Sequence, residues 1–96
     1  MLIAQLDQAI SELEATRDAM ASPPDALFDR IDELYQQRGK LLQQAIEAQT
    51  VEYQAVVAGL NAASALARQA REDVSRVDKL LARLGSVLSG LTGLLG

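Results

Sequence analysis

Cysteine, histidine and tryptophan are all absent from this 96-residue chain. Without histidine or cysteine no Ser-His-Asp or Cys-His nucleophile can be assembled, no zinc site can be built from those ligands, and the Glu-x-x-His pairs of di-iron bundles are excluded. Any reaction would have to run on carboxylates alone. The expectation is therefore a protein that is not an enzyme, with no catalytic residue, no cofactor and no metal site. The lack of cysteine also removes any disulfide framework and any need for an oxidising compartment. The first residues, Met-Leu-Ile-Ala-Gln-Leu-Asp, have no basic segment and meet an acid at Asp7. They do not resemble a signal peptide, and the expected location is cytoplasmic.

Positive charge is also scarce. Nine Lys and Arg stand against 13 Asp and Glu, a net charge of −4, which opposes binding to phosphate backbones and argues against nucleic acid as a partner. The deficit is uneven, −5 over residues 1–48 and +1 over residues 49–96. That asymmetry suits antiparallel packing of the two halves. Prolines number only two, adjacent at Pro23 and Pro24, and the aromatic residues are Phe28, Tyr35 and Tyr53. From Leu84 to Gly96 no residue is charged, but this run is shorter than the roughly 18–20 apolar residues that span a bilayer. A transmembrane helix is not expected.

What remains reads as helix from end to end. A chain this short forms one domain and buries only about 60–65% of its unfolded surface, so partner binding would add to its stability. Ile3, Leu6, Ile10 and Leu13 make a stripe at helical spacing, widened by Leu2 and Ala9, which predicts a first helix over about 2–20. The two prolines end it. Ser22 is a candidate cap for a second helix over about 23–48, with Pro23 in its first turn and Asp25 at the positive end of its dipole. That helix carries Leu27, Ile31, Leu34, Leu41 and Ala45, with Phe28, Tyr35, Leu42 and Ile46 one residue round. So wide a stripe suits a middle helix touching two neighbours, and core packing is the expected role of all three aromatics. Gly39 interrupts the helix without a stop signal.

The next turn falls either at Thr50, a capping residue, or at Gly59-Leu60-Asn61. A single alternation of three- and four-residue steps runs through Tyr53, Val56, Leu60, Ala63, Ala67, Ala70, Val74, Val77, Leu81, Leu84, Leu88, Leu91 and Leu95. Its unbroken phase across Gly59 favours Thr50 and predicts one third helix over about 51–95. The fold class is thus all-α, an antiparallel three-helix bundle or long helical hairpin in one domain. The inward positions from Ala62 to Ala70 are small, while those beyond Val74 are Val and Leu. Opposite the leucines, Ala82, Ser86, Ser89, Gly90 and Gly93 form a stripe where another backbone could come close.

Charged groups carry little chemistry. Asp29, Asp32 and Glu33 read as a solvated helix face rather than a cation site, with nothing histidine-like between them. Arg68, Arg71, Arg76, Lys79 and Arg83 are interleaved with Glu72, Asp73 and Asp78, and Glu72 to Arg76 has the favourable i, i+4 order of a salt-bridged surface. Arg38-Gly39-Lys40 lacks the frame of a phosphate-binding loop.

The run Leu27-Phe28-Asp29-Arg30-Ile31-Asp32-Glu33-Leu34-Tyr35-Gln36-Gln37-Arg38-Gly39-Lys40-Leu41-Leu42, between a short first helix and a longer third ending Val77-Asp78-Lys79-Leu80-Leu81-Ala82-Arg83-Leu84, resembles the small flagellar type III export chaperones. The resemblance implies a cytoplasmic, non-enzymatic protein that shields the helical end of a secreted subunit in an apolar groove. From the residues themselves the expected partner-binding set is Leu84, Val87, Leu88, Leu91, Leu94 and Leu95, presented to a partner helix. The alternatives are a homo-oligomeric coiled-coil structural subunit joined along the Tyr53–Leu95 seam, and a membrane-surface helix anchored by Lys79 and Arg83.

Overall fold

The computed structural model describes residues 2–44 and 50–95, and all regular structure among them is helical. Four α-helices follow in order: α1 (Leu2–Ala19), α2 (Asp25–Leu41), α3 (Val51–Glu72) and α4 (Val77–Leu95), with a 3₁₀ turn, Val74–Arg76, before the last. The class is all-α, but the bundle has four helices rather than three. The second helix ends at Leu41, with Leu42 as its C-cap and a turn over residues 42–44, short of the expected end near residue 48; Ala45 and Ile46 lie outside the described residues.

Each helix boundary has a local cause. Consecutive prolines delay α2 to Asp25: Pro24 holds Pro23 out of the helical region, so Pro23 cannot occupy a first turn. Pro24 is the extended N-cap residue, no side chain caps the helix, and Ser22 is not its cap. Asp25 in the first turn supplies the charge that the dipole favours. Thr50 is the N-cap of α3, its hydroxyl accepting from the Tyr53 N–H at 3.2 Å. Gly59 lies inside α3.

The expected third helix is broken at Asp73, which is extended at φ −143°, ψ 101°. Its carboxylate accepts from the backbone N–H of Ser75 at 3.1 Å and from the Ser75 hydroxyl at 2.7 Å, capping the 3₁₀ turn. An unbroken helix from Val51 to Leu95 would run roughly 68 Å at ~1.5 Å per residue, whereas the longest dimension of the molecule is 39 Å. Folding back lets α3 and α4 cover each other's apolar faces. The sequence stripe runs on across the break because residues 73–76 amount to about one helical turn, although beyond it the fully buried Leu80, rather than the expected Leu81, faces the core. A continuous stripe was therefore no evidence of a continuous helix. Val74, the stripe position inside the break, is exposed, and Glu72 and Arg76 no longer share a helix. Arg76 instead reaches Asp73 at 3.5 Å and the Gln69 side-chain carbonyl at 2.9 Å.

Packing runs in a ring: α1 against α2, α2 against α4, α4 against α3, and α3 against α1. Among the described residues the Cα atoms of the diagonal pairs, α2 with α3 and α1 with α4, do not come within 8 Å of each other. Two antiparallel hairpins, α1/α2 and α3/α4, therefore lie side by side with α1 parallel to α3. A constant offset fixes that register. The Leu2 N–H donates to the Tyr53 hydroxyl at 2.9 Å, and the buried Thr16 hydroxyl sits 2.8 Å from the Ala67 carbonyl, both pairs 51 residues apart. The halves thus pair in parallel, and the antiparallel pairing expected from their charge does not occur. Between them Glu12 takes Arg71 at 2.6 Å and Arg68 at 3.5 Å.

The core holds eight fully buried leucines, Leu6, Leu13, Leu27, Leu34, Leu60, Leu80, Leu84 and Leu91, each contributing about 1.5–3 kcal/mol by burial. Ala63, Ala67 and Ala70 are also fully buried. Their small side chains let α1 come close to α3, which is why Thr16 can reach the Ala67 carbonyl.

Candidate partner-binding groove between α3 and α4

The six residues expected to meet a partner are placed together, but they face inward. Leu84, Val87, Leu88 and Leu91 are buried in the core, and Leu94 and Leu95 are half-buried against it. The surface that the leucine stripe needed is supplied by the same chain. An apolar run reads identically whether its cover is a partner helix or α2 and α3. Most of the Tyr53–Leu95 seam is likewise covered within the chain, as α3 and α4 fold on each other. The membrane-surface reading loses the same leucines to the core.

The opposite, small-residue flank of α4 is the part that stays accessible. Val56 and Gly59 on α3 and Val87 and Gly90 on α4 repeat one pattern, valine followed three residues later by glycine. In the antiparallel hairpin the two copies interlock. A Cβ on Gly59 would lie 2.9 Å from a Val87 methyl, and a Cβ on Gly90 would lie 2.9 Å from a Val56 methyl. Each valine fills the notch left by the other helix's glycine, so the helices approach closely. The glycines that lower the helix propensity of α4 by about 1 kcal/mol each thus have a packing cause in Gly90. Gly93 has no such neighbour, with nothing within 4 Å of a Cβ there.

Close approach leaves a groove of about 430 Å³ on the outer side of the hairpin, lined by Ala55, Val56 and Gly59 of α3 and by Ser86, Val87, Gly90 and Gly93 of α4. Glu52 and Arg83 add one charge of each sign to its walls. Of this lining, Ser86, Gly90 and Gly93 belong to the small-residue stripe visible in the sequence. Val87 belongs to the expected partner-binding set, while Glu52, Ala55, Val56, Gly59 and Arg83 stood outside it. The repeated Val-x-x-Gly was the signal that could have joined the two helices.

No family model, curated protein or solved structure matches this chain. The groove is therefore interpreted from its own chemistry. Among the described residues no cluster of acidic side chains is placed to hold a metal ion, and no helix is long and apolar enough to cross a membrane.

A second surface departs from expectation on α2. Tyr53 is buried, but Phe28 and Tyr35 are 41% and 47% exposed. Arg17 lies over the Phe28 ring, 5.8 Å from its centroid, and the Tyr35 hydroxyl donates to Glu14 at 3.0 Å. That hydrogen bond, with partial burial and the Glu14 charge behind it, raises the Tyr35 pKa above the ordinary phenol range. Arg38 forms an ion pair with Asp7, whose hydrogen bond and charge raise the guanidinium pKa further. The middle helix does contact two neighbours, and the residues it buries there are Leu27, Ile31, Leu34 and Leu41. Its second stripe faces outward.

Proposed function

We propose that this chain is a non-catalytic helical protein-interaction module that seats a partner helix in the α3/α4 groove. The observation that carries this reading is the lining of the groove, where Ala55, Gly59, Ser86, Gly90 and Gly93 accompany the buried Val56 and Val87. Small residues let a third backbone approach as α3 and α4 approach each other, while Arg83 and Glu52 set its register by charge. The fitting partner presents small or apolar residues along one helical face, with an acid positioned for Arg83 and a base for Glu52. An adaptor or a small export chaperone that shields the helical end of a secreted subunit would work in this way, and the resemblance of the α2 and α4 segments to the flagellar export chaperones supports that version. The absence of histidine and cysteine supports a role without catalysis, and a cytoplasmic location belongs to the same proposal.

The test fills the groove without touching the core. Gly93→Leu and Ser86→Leu add bulk at open positions, so the bundle should keep its helical circular dichroism and its urea midpoint. Proteins crosslinked from position 86 of the wild-type chain in its native host should be lost when Gly93→Leu is added to the same probe. Recovery of the same partners by both chains sinks the groove as the binding face. Truncation after Arg83 would not discriminate, because it removes Leu84, Val87, Leu88 and Leu91 from the core.

A further inference from the structure

The outward stripe of α2 carries an inference independent of the α3/α4 groove. Phe28 and Tyr35 lie seven residues apart on one face of the helix, and Leu42, its C-cap residue with helical backbone angles, continues that face; they are 41%, 47% and 60% exposed. Gly39 lies on the same face between Tyr35 and Leu42, with nothing within 4 Å of where a Cβ would stand. Packing within the chain gives no cause for a glycine in the last turn of α2, where it lowers helix propensity relative to alanine. A backbone arriving from outside would supply one.

The charges around this stripe say what arrives. Over residues 25–33 the helix carries Asp25, Asp29, Asp32 and Glu33 against the single base Arg30, and over residues 34–44 it carries Arg38 and Lys40 with no acid. Glu33 is paired with Arg30, and Arg38 with Asp7. Asp29, Asp32 and Lys40 are exposed and form no ion pair among the described residues. A helix that is acidic at one end and basic at the other complements itself when turned end for end.

We infer that the outward face of α2 pairs with α2 of a second copy of this chain, antiparallel, about a two-fold axis at Tyr35. Phe28 then lies opposite Leu42 of the other copy, Tyr35 meets its equivalent, and the backbones come close at Gly39. Asp29 and Asp32 fall beside the other copy's Lys40. The contact is isologous, so it closes at two chains. A 17-residue helix is roughly 25 Å long and about 10 Å wide, a strip of about 250 Å², well below the roughly 800 Å² per partner of standard interfaces. The dimer is accordingly weak and reversible, with a dissociation constant of about 10 µM or higher.

The experiment is sedimentation of the full chain from roughly 10 µM to 1 mM, with helicity and urea midpoint checked for each variant. Wild-type mass should climb toward twice that of the monomer, less steeply in high salt. Tyr35→Lys sets like charges against each other at the axis and should raise the dissociation constant by about tenfold or more. Lys40→Glu brings acid to acid, and the double variant Asp29→Lys, Asp32→Lys brings base to base, so each alone should stay monomeric. Mixed, these two chains are complementary at both ends and should form a heterodimer. A wild-type chain that is monomeric throughout the range overturns the inference. So does a dimer indifferent to these substitutions, or a mixture that fails to associate while both chains remain folded.

Discussion

At the scale of single residues, two polar contacts do work that no hydrophobic pattern discloses. The Tyr53 hydroxyl accepts from the Leu2 N–H in a buried position, joining the first turns of α1 and α3 and satisfying a helix N-terminal donor. Tyr53→Phe leaves that donor unpaired, and a loss of about 1–3 kcal/mol is expected in urea unfolding with an unchanged slope. Asp73 is the second. Its carboxyl pKa is held below the ordinary aspartate value, first by the Ser75 hydroxyl, then by the Ser75 N–H, with Arg76 adding a smaller attraction. A group whose folded-state pKa is depressed stabilises the fold above its unfolded value near 4, and that contribution is lost as pH falls through the folded-state value. Asp73→Asn keeps a capping side chain but not the charge. Its stability deficit relative to wild type should be present at neutral pH and shrink below about pH 4, as followed by thermal midpoints across the acid range. A deficit independent of pH would show that the carboxylate charge is not what holds the turn.

At the scale of elements, the glycines separate two roles that look alike in sequence. Gly39 is in a helix with open space around it, so Gly39→Ala should stabilise the monomer by about 0.5–1 kcal/mol. Gly59→Ala and Gly90→Ala gain the same propensity but drive a methyl to within 2.9 Å of Val87 and Val56. Valine has little rotamer freedom in a helix, and overpacking of this kind costs about 1–3 kcal/mol, so both should be net destabilising. Adding Val56→Ala to Gly90→Ala should recover part of the loss in a double-mutant cycle. Additive losses would show that the notch and the valine are uncoupled.

At the scale of the whole molecule, the tail is part of the core rather than an appendage. Leu84 is fully buried, and Leu84→Ala should cost about 2–5 kcal/mol, a large share of the roughly 5–15 kcal/mol that holds a domain together. Because each helix packs on two others in a ring, that loss should lower one cooperative transition seen alike by helicity and by the tyrosine signal. Val74 lies on the same sequence stripe but is 63% exposed, and Val74→Ala should change stability by less than about 0.5 kcal/mol. Separate transitions for the α1/α2 and α3/α4 hairpins would contradict the ring.

Helical class, the proline turn after α1, the capping threonine at position 50 and the inward phase of Leu60, Ala63 and Ala67 were all legible in the residues, because caps, prolines and apolar periodicity act within a turn or two of where they stand. The break at Asp73 was less visible. The sequence stripe runs on across it, and the cap there competes with good helix formers until α4 gains by folding back on α3. Partner choice was not legible at all: Leu84, Leu88 and Leu91 need an apolar cover, and periodicity says nothing of which chain provides it. Only the tertiary arrangement decided that α2 and α3 cover those leucines, that Val56 and Val87 fill the glycine notches, and that Phe28, Tyr35 and Leu42 are left facing out. The physical reason is that burial is a property of pairs of surfaces, and a sequence describes one surface at a time.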